Sequence, residues 1–244
     1  MTHKVVFLVT SAINVDTGVL GTEERLSQMI DTAKSIRERV YDCKIILIDG
    51  GIKPLTVSHR QNLLEIYDDI LDLSYHPQIL TMHRLANEKE DHRVRSFIVK
   101  GPCETFLLSY ALELLPKDEE CRYFKISGRY KLSDSFDLDT HLVQSKYVFK
   151  KKDSGVLFEG SDVNYLYTEY QYKTRLYSFC GTIFDQVKNH YNQIFEHIIS
   201  CYSQNSFIDL EHATYKIIGE SLVHGVQSVG CVGIQADNGA IIDE

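Results

Sequence analysis

Proline is scarce, with 4 among 244 residues, which excludes long proline-rich linkers. No apolar run approaches the ~18 residues that a membrane-spanning helix needs. The first apolar run, Lys4 to Val9, is also too short for the core of a secretory leader, and it leads into Thr10-Ser11 rather than a small-x-small cleavage site. Paired cysteines are missing. The 6 cysteines, Cys43, Cys103, Cys121, Cys180, Cys201 and Cys231, stand singly without a CxxC, so the sequence offers neither a zinc site nor a dithiol redox motif. Most sit inside apolar segments and read as reduced core thiols of a cytoplasmic protein. Basic charge is short as well: 26 Lys and Arg stand against 34 Asp and Glu, for a net charge of −8. That disfavours nucleic acid and anionic membrane surfaces as partners. The histidines show no HExxH spacing, and no multi-glycine loop ends in Lys-Ser/Thr, so a metalloprotease helix and a P-loop are both absent.

What is present is globular material, 43% hydrophobic and 25% charged. The length suits one large domain or two small ones and is enough to bury a core. Lys4 to Val9 reads as a strand buried on both faces. After a polar loop with Gly18 and Gly21, Thr22 caps a helix with Glu23 and Glu24 in its first turn, and Leu26, Met29, Ile30, Ala33, Ile36 and Val40 keep helical spacing. Lys44 to Ile48 is a second buried strand, ending in Asp49-Gly50-Gly51, and the whole reads as a parallel βαβ unit. Leu63, Leu64, Ile66 and Tyr67 indicate a helix and Gln78 to Met82 a short strand. Gly101-Pro102 opens another helix, with proline at its first position. Arg122 to Ser127 is a strand stopped by Gly128.

After about residue 140 the pattern changes. Lys146 to Lys150, Gly155 to Phe158 and the tyrosine-rich stretch Tyr165 to Phe179 read as antiparallel strands. Helices follow over Ile183 to Tyr202 and Leu210 to Ile218, then a strand from Val226 to Ile234. Internal repeats and low-complexity segments are absent. The expectation is a single domain, α/β in its first half and mixed in its second.

In an open α/β sheet, ligands bind beyond the carboxyl ends of the parallel strands. That selects Thr10-Ser11-Ala12, Asp49-Gly50-Gly51 and Ser127-Gly128-Arg129-Tyr130. Thr10 and Ser11 either finish a turn or meet a ligand. Asp49 with Gly50 either makes a tight turn with positive-φ glycines or accepts hydrogen bonds from a ribose or base. Lys125 and Arg129 flank Ser127 and Gly128, with Tyr130 next. These two cations either suit a diphosphate, Arg through a planar fork and Lys as a point charge, or pair with acidic surface residues. Lys100-Gly101-Pro102-Cys103-Glu104 lies where a loop is expected to enter a helix, which attracts anions or merely starts the helix. Glu211-His212 opens a late helix, with Glu211 either a general base or an ordinary first-turn residue. Tyr165, Tyr167, Tyr170, Tyr172 and Tyr177 form either a sugar-binding surface or a half-buried sheet.

Phe7 to Ala12, the helix holding Arg25, Gln28, Thr32, Ser35 and Ile36, and Ile46 to Asp49 together resemble the opening of small GT-A-like glycosyltransferases. These occur in bacterial polysaccharide clusters and in large DNA viruses and phages. Lys100-Gly101 with Glu104, the run Phe124 to Tyr130, and Glu211-His212 resemble later motifs of the same group. The resemblance implies a single GT-A-like, Rossmann-like domain with a mostly parallel sheet and a smaller antiparallel portion. Residues 1–140 would be its nucleotide-binding half and 141–244 its acceptor side. It further implies polysaccharide biosynthesis, a nucleotide-sugar donor and a glycan or other hydroxyl acceptor. Catalysis would fall to Glu211, His212 and Arg129. The donor would be held by Thr10, Ser11, Arg25, Asp49, Gly50, Lys100, Gly101, Glu104, Lys125, Ser127, Gly128 and Tyr130. Most GT-A enzymes carry an Asp-x-Asp that holds manganese or magnesium at the end of the strand matching 122–127. Here that place reads Ser127-Gly128-Arg129, so no metal ligands are assigned: either transfer is metal-independent, with Lys and Arg in place of the ion, or manganese or magnesium enters elsewhere, or activity is lost. Asp137-Leu138-Asp139 lies well beyond it. A nucleotidyltransferase, which normally needs a basic loop after the first strand, and a non-catalytic nucleotide- or glycan-binding protein on a degenerate transferase fold are the alternatives.

Overall fold

The computed structural model describes residues 4–15, 20–89, 92–154, 164–234 and 240–244. The first half is built as the hydrophobic pattern directs. Strand β1 (Lys4–Ser11), helix α1 (Thr22–Arg39) and strand β2 (Cys43–Asp49) form the expected βαβ unit, with β1 and β2 parallel. Helix α2 (Val57–Leu64) ends before Ile66 and Tyr67, and strand β3 (Asp69–Asp72) follows. The sequence reading missed β3 because Ile70-Leu71 is too short a run between aspartates to carry a strand signal. It extends the sheet as a parallel edge to β2.

Gln78 to Met82 is a correction. It lies in helix α3 (Pro77–Asn87), not a strand. Pro77 occupies the first turn, the His76 ring accepts from Gln78 N at 3.2 Å, and Ile79, Met82, His83 and Ala86 are buried at helical spacing. The helix-opening proline is therefore Pro77. Pro102 stands inside helix α4 (His92–Leu114), so no loop enters a helix at Lys100-Gly101. That removes the anion-attracting helix start expected there.

Strand β4 (Cys121–Ser127) pairs parallel with β1 on the side away from β2. Strand β5 (Tyr130–Leu132), helix α5 (Leu138–His141) and strand β6 (Tyr147–Lys150) follow. The expected strand at Gly155 to Phe158 falls outside the described residues. The tyrosine-rich stretch is less regular than expected. Two-residue β7 (Asp153–Ser154) pairs with β9 (Tyr170–Gln171), while β8 (Asn164–Tyr165) pairs in parallel with β11 (Ser206–Phe207). Only β10 (Leu176–Cys180) enters the main sheet, antiparallel to both β4 and β6. Helices α6 (Phe184–Ser203) and α7 (Leu210–Ile218) match expectation. Val226 to Ile234 is two strands rather than one. β12 (Val223–Val226) joins β6 at the sheet edge, and β13 (Cys231–Ile234) pairs with β5 and with β14 (Ile241–Asp243).

The main sheet has seven strands in the order β12-β6-β10-β4-β1-β2-β3, with β10 alone running against its neighbours. Alternation along the strands builds two cores. Phe7, Val9, Leu47, Phe124 and Ile126 pack towards α1, whereas Leu8, Ile46, Ile48, Tyr123 and Tyr177 pack towards α3, α4, α6 and α7. Among the described residues no helix is long and apolar enough to cross a membrane. All 6 cysteines are unpaired, and five of them are buried.

Gly50 and Gly51 owe their identity to close approach, not to left-handed backbone, since the described positive-φ glycines are Gly219 and Gly230. A Cβ on Gly51 would stand 2.7 Å from the backbone oxygen of Asn14. Gly51→Ala is expected to cost about 1–3 kcal/mol by overpacking, read as a lower urea midpoint with an unchanged slope.

Candidate functional site at the carboxyl rim of the sheet

The ends of three parallel strands meet in register. Ser11 stands opposite Asp49, and Thr10 opposite Ser127. Asp49 is fully buried and clamps two of these ends. Its Oδ1 accepts from Ser11 Oγ at 2.5 Å and Ile13 N at 2.9 Å, and its Oδ2 from Gly51 N at 3.2 Å. Burial raises its pKa, which these donors oppose. Asp49 therefore offers no surface to a ribose or base. It fixes the rim. Gly50 lies against Leu107 of α4, and its N–H donates to Ser11 O. Arg25 is buried in the first turn of α1 and donates to the carbonyls of Leu20 and Ala12, so it shapes the loop after β1.

Lys125 is fully buried under α4. An ammonium has three donors and no acceptor. Here the three find Ser127 Oγ at 2.7 Å, the Thr174 carbonyl at 2.6 Å and Glu104 Oε1. The free point charge expected at this position is not there, because Lys125 is neutralised inside the protein. Glu104, on α4, is about a quarter exposed. The hydroxyls of Thr10, at 3.4 Å, and Ser127, at 3.5 Å, also face its Oε1.

Glu211 comes to the same cluster from the first turn of α7, whose cap is Asp209. Thr174 Oγ1 donates to its Oε1 at 3.3 Å. Burial of the carboxyl pushes its pKa up to about 7, with the charges of Asp209 and Glu104 adding to the shift and Arg175 opposing it. His212, the other residue of that pair, turns into the core. It is fully buried, and its Nδ1 accepts from Thr168 N at 3.0 Å. Among the described residues its Nε2 has no hydrogen-bond partner. It cannot reach a substrate in this arrangement.

Gly128 lets β4 pass α1, since a Cβ there would lie 2.1 Å from Met29 Sδ. Arg129 follows. Its Nε is buried without a hydrogen-bond partner, and no carboxylate pairs with its guanidinium among the described residues. It lies close enough to Arg25 that its charge, after burial, lowers the Arg25 pKa. Tyr130 is buried, and its hydroxyl accepts from Arg175 Nε at 2.9 Å. Lys100 is exposed on α4, one turn before Glu104, and Gly101 fits α4 against Leu210 and Ile198.

The sequence reading missed Thr174 and Arg175. Arg175 bridges Tyr130 and Glu244, and its carbonyl accepts from Ser127 N at 2.8 Å. The only local signal was a basic residue ahead of an apolar strand, which does not reveal a partner far away in sequence. Of the five tyrosines considered for a sugar surface, Tyr172 and Tyr177 are core, Tyr165 donates to Asp209, and Tyr170 lies under the Lys152 ammonium. Tyr167 is exposed. Asp137 caps α5, accepting from Asp139 N and Thr140 Oγ1. No group of described residues has the makings of a metal centre.

No family model matches this chain, and no curated protein does. Solved structures do. The galactosyltransferase LgtC, in complex with donor and acceptor sugar analogues, aligns with 91% of this chain and 73% of its own at 10% identity and a TM-score of 0.50. Mouse xyloside xylosyltransferase 1 aligns with 92% of this chain and 84% of its own at 9% identity and a TM-score of 0.43. The inositol-1-phosphate CTP transferase of T. maritima covers 84% and 85% at 10% identity, with a TM-score of 0.37. At such identities the likeness to LgtC concerns the fold alone: the chain has a GT-A-like fold, a mixed α/β domain around a large, mostly parallel sheet.

The raised pKa of Glu211 has a signed consequence for stability. Between about 4.5, its ordinary value, and about 7, the folded state keeps a proton that the unfolded chain has released. Stability contributed by this group therefore falls as pH rises through that window, by at most about 1.4 kcal/mol per pH unit. Urea denaturation across the window is expected to show a shallower fall for Glu211→Gln than for the wild type. Asp49 is present in both proteins, so the difference isolates Glu211. Parallel curves would place the carboxyl in water.

Proposed function

We propose that this chain is a glycosyltransferase that moves a sugar from a nucleotide-sugar donor to a hydroxyl of a glycan or similar acceptor. The observation that carries this reading is Arg129, whose guanidinium has a buried Nε, no carboxylate among the described residues, and Arg25 as a neighbour. Two like charges on a partly buried rim are stabilised by an anion between or across them, and a diphosphate matches the planar fork of arginine. The rim is also where a sheet of this kind takes its ligands. The LgtC neighbour is a galactosyltransferase, which agrees with the reading.

The chemistry sets the roles. Transfer develops positive charge at the anomeric carbon and negative charge on the leaving diphosphate, and the acceptor hydroxyl must lose a proton. Arg129 stabilises the leaving group as a preorganised charge. Thr10, Ser11 and Gly50 line the nucleoside end, with Asp49 and Arg25 holding its walls. Lys100, exposed one turn before Glu104, faces the donor from α4. Glu211, whose pKa burial pushes up to about 7, takes the acceptor proton. The half up to residue 140 thus carries the nucleotide, and the half from 141 supplies Thr174, Arg175 and Glu211 on the acceptor side. Six unpaired cysteines suit the reducing cytoplasm.

A GT-A-like fold implies a divalent ion on the donor diphosphate, and the residues at the end of β4 do not fit one. Ser127 is committed to Lys125 and Glu104, Gly128 has no room for a side chain, and Arg129 would repel a cation. Donor binding and turnover are therefore expected to survive EDTA. Asp137→Asn and Asp139→Asn are expected to cost little, because Asn still caps α5. A strict manganese or magnesium requirement, with activity abolished by those two substitutions, would reverse this view.

Arg129→Ala should weaken nucleoside diphosphate binding roughly ten- to hundredfold, equivalent to about 1.5–3 kcal/mol for a charge-assisted hydrogen bond, and leave nucleoside binding nearly unchanged. Calorimetric titration with both ligands checks it. Equal losses would remove Arg129 from the phosphates. Absence of any thermal shift with a panel of nucleoside diphosphates would favour a non-catalytic protein, and pyrophosphate release from a nucleoside triphosphate and a sugar phosphate would favour a nucleotidyltransferase.

A further inference from the structure

Glu244 is a buried carboxylate that the roles given above leave unused. Its Oε1 accepts from Arg175 Nη1 at 2.8 Å, and the Lys150 ammonium lies 3.5 Å from the same oxygen. Its Oε2 is buried with no hydrogen-bond partner among the described residues. Two cations thus share one carboxylate, and one of its oxygens is desolvated without a donor. The cluster adjoins the candidate site. Arg175 Nε donates to the hydroxyl of Tyr130, the residue after Arg129, and the Arg175 carbonyl accepts from Ser127 N. The charge of Arg175 also opposes the pKa rise at Glu211. Glu244 directly follows β14, an edge strand that pairs with β13 alone among the described residues. Ile241 and Asp243 are exposed, so the segment buries little besides Ile242 and the Glu244 side chain. Gly230 N and Cys231 N donate to Glu244 O, and Glu244 N donates to Cys231 O. With this segment seated, the Glu244 side chain is 4% exposed and that of Arg175 16%. Another carboxylate therefore reaches Arg175 only when Glu244 leaves. Its departure relieves one unsatisfied buried oxygen and gives up little apolar contact, but it strands two cations unless a second anion arrives.

We propose that Arg175 and Lys150 form a subsite for a sugar carboxylate on the acceptor, and that Glu244 occupies this subsite as an internal stand-in until such an acceptor displaces it. The proposal rests on the glycosyltransferase reading and narrows the acceptor to an acidic glycan, one that carries a uronic acid. The stand-in shows the chemistry the subsite takes. A planar carboxylate fits the guanidinium fork, and the ammonium adds a point charge. Arg175, Lys150 and Glu244 all belong to the half that supplies Glu211, which assigns the carboxylate to the acceptor rather than to the donor. Because only the released state binds, Glu244 lowers the apparent affinity in proportion to the fraction of molecules in which it stays seated. A neutral acceptor cannot take over the counter-charge, so it leaves the segment closed.

The test titrates the full chain with methyl β-D-glucuronide and with methyl β-D-glucoside, in the presence of whichever of UDP, GDP, ADP and CDP stabilises it. The wild-type chain should prefer the glucuronide. Glu244→Gln keeps the shape and removes the competing charge, so it should raise glucuronide affinity roughly tenfold and leave the glucoside unchanged. Lys150→Gln should shrink the preference. Hydrogen exchange on the wild-type chain supplies a readout that needs no substitution: the glucuronide, and not the glucoside, should speed exchange at the amides of Gly230, Cys231 and Glu244. Equal affinity for the two glycosides, no gain in Glu244→Gln while it still binds the nucleotide, or unchanged protection at those amides overturns the subsite and leaves the transferase reading intact. UDP-glucuronate binding more tightly than UDP-glucose, with no difference between the glycosides, overturns the assignment to the acceptor. Absence of stabilisation by every nucleotide overturns the transferase reading, and this proposal with it.

Discussion

The ion pair between Lys125 and Glu104 organises the rim. Taking an ammonium out of water costs several kcal/mol, and that cost is offset only when the charge is paired and every donor satisfied. Lys125 meets both conditions by drawing on Glu104 from α4, Ser127 from its own strand and Thr174 from the approach to β10. Three segments far apart in sequence are thus held to a single atom. Such a pair need not add net stability, since an apolar replacement of similar volume often does as well. Its contribution is orientation: Glu104 cannot turn away from the rim without stranding a buried cation.

The same logic divides the charges of the site. Lys125 belongs to Glu104, and Arg175 belongs to Glu244 and Tyr130. Among the described residues Arg129 is left without a carboxylate, and it stands next to Arg25. In a chain with a net charge of −8, acidic partners are plentiful, so a cation left unpaired at a strand end is an informative exception. Glu211 is the converse case, an acid whose enclosure and acidic neighbours hold its proton to about 7. Glu104 touches on both: its Oε1 faces the hydroxyl of Ser127, two residues before Arg129, and its charge adds to the rise in the Glu211 pKa.

Much of the fold was legible in the chain. Continuous apolar runs at Lys4 to Val9 and Lys44 to Ile48 read as strands covered on both faces, and the spacing of Leu26, Met29, Ala33 and Ile36 indicates the helix between them. Errors arose where the local signal was weak or shared. Two apolar residues between aspartates did not announce β3. Pro102 looked like a helix start, although the residues before it were already helical. The Gln78 to Met82 run satisfied a short strand as well as a helix, and Pro77 settled it.

The sequence by itself determined which segments are buried strands and helices, that Thr10, Asp49 and Ser127 end strands of one parallel sheet, and that Glu211 opens a helix. Those are consequences of periodicity and capping, which act over a few residues. Only the tertiary structure decided which of the candidate charges are spent. It committed Lys125 to Glu104, closed Asp49 onto Ser11 and Ile13, turned His212 into the core, and brought Thr174 and Arg175 to the rim. The physical reason is that a charge's role depends on its partners and its distance from water. Both are set by strand register and helix packing between residues remote in sequence.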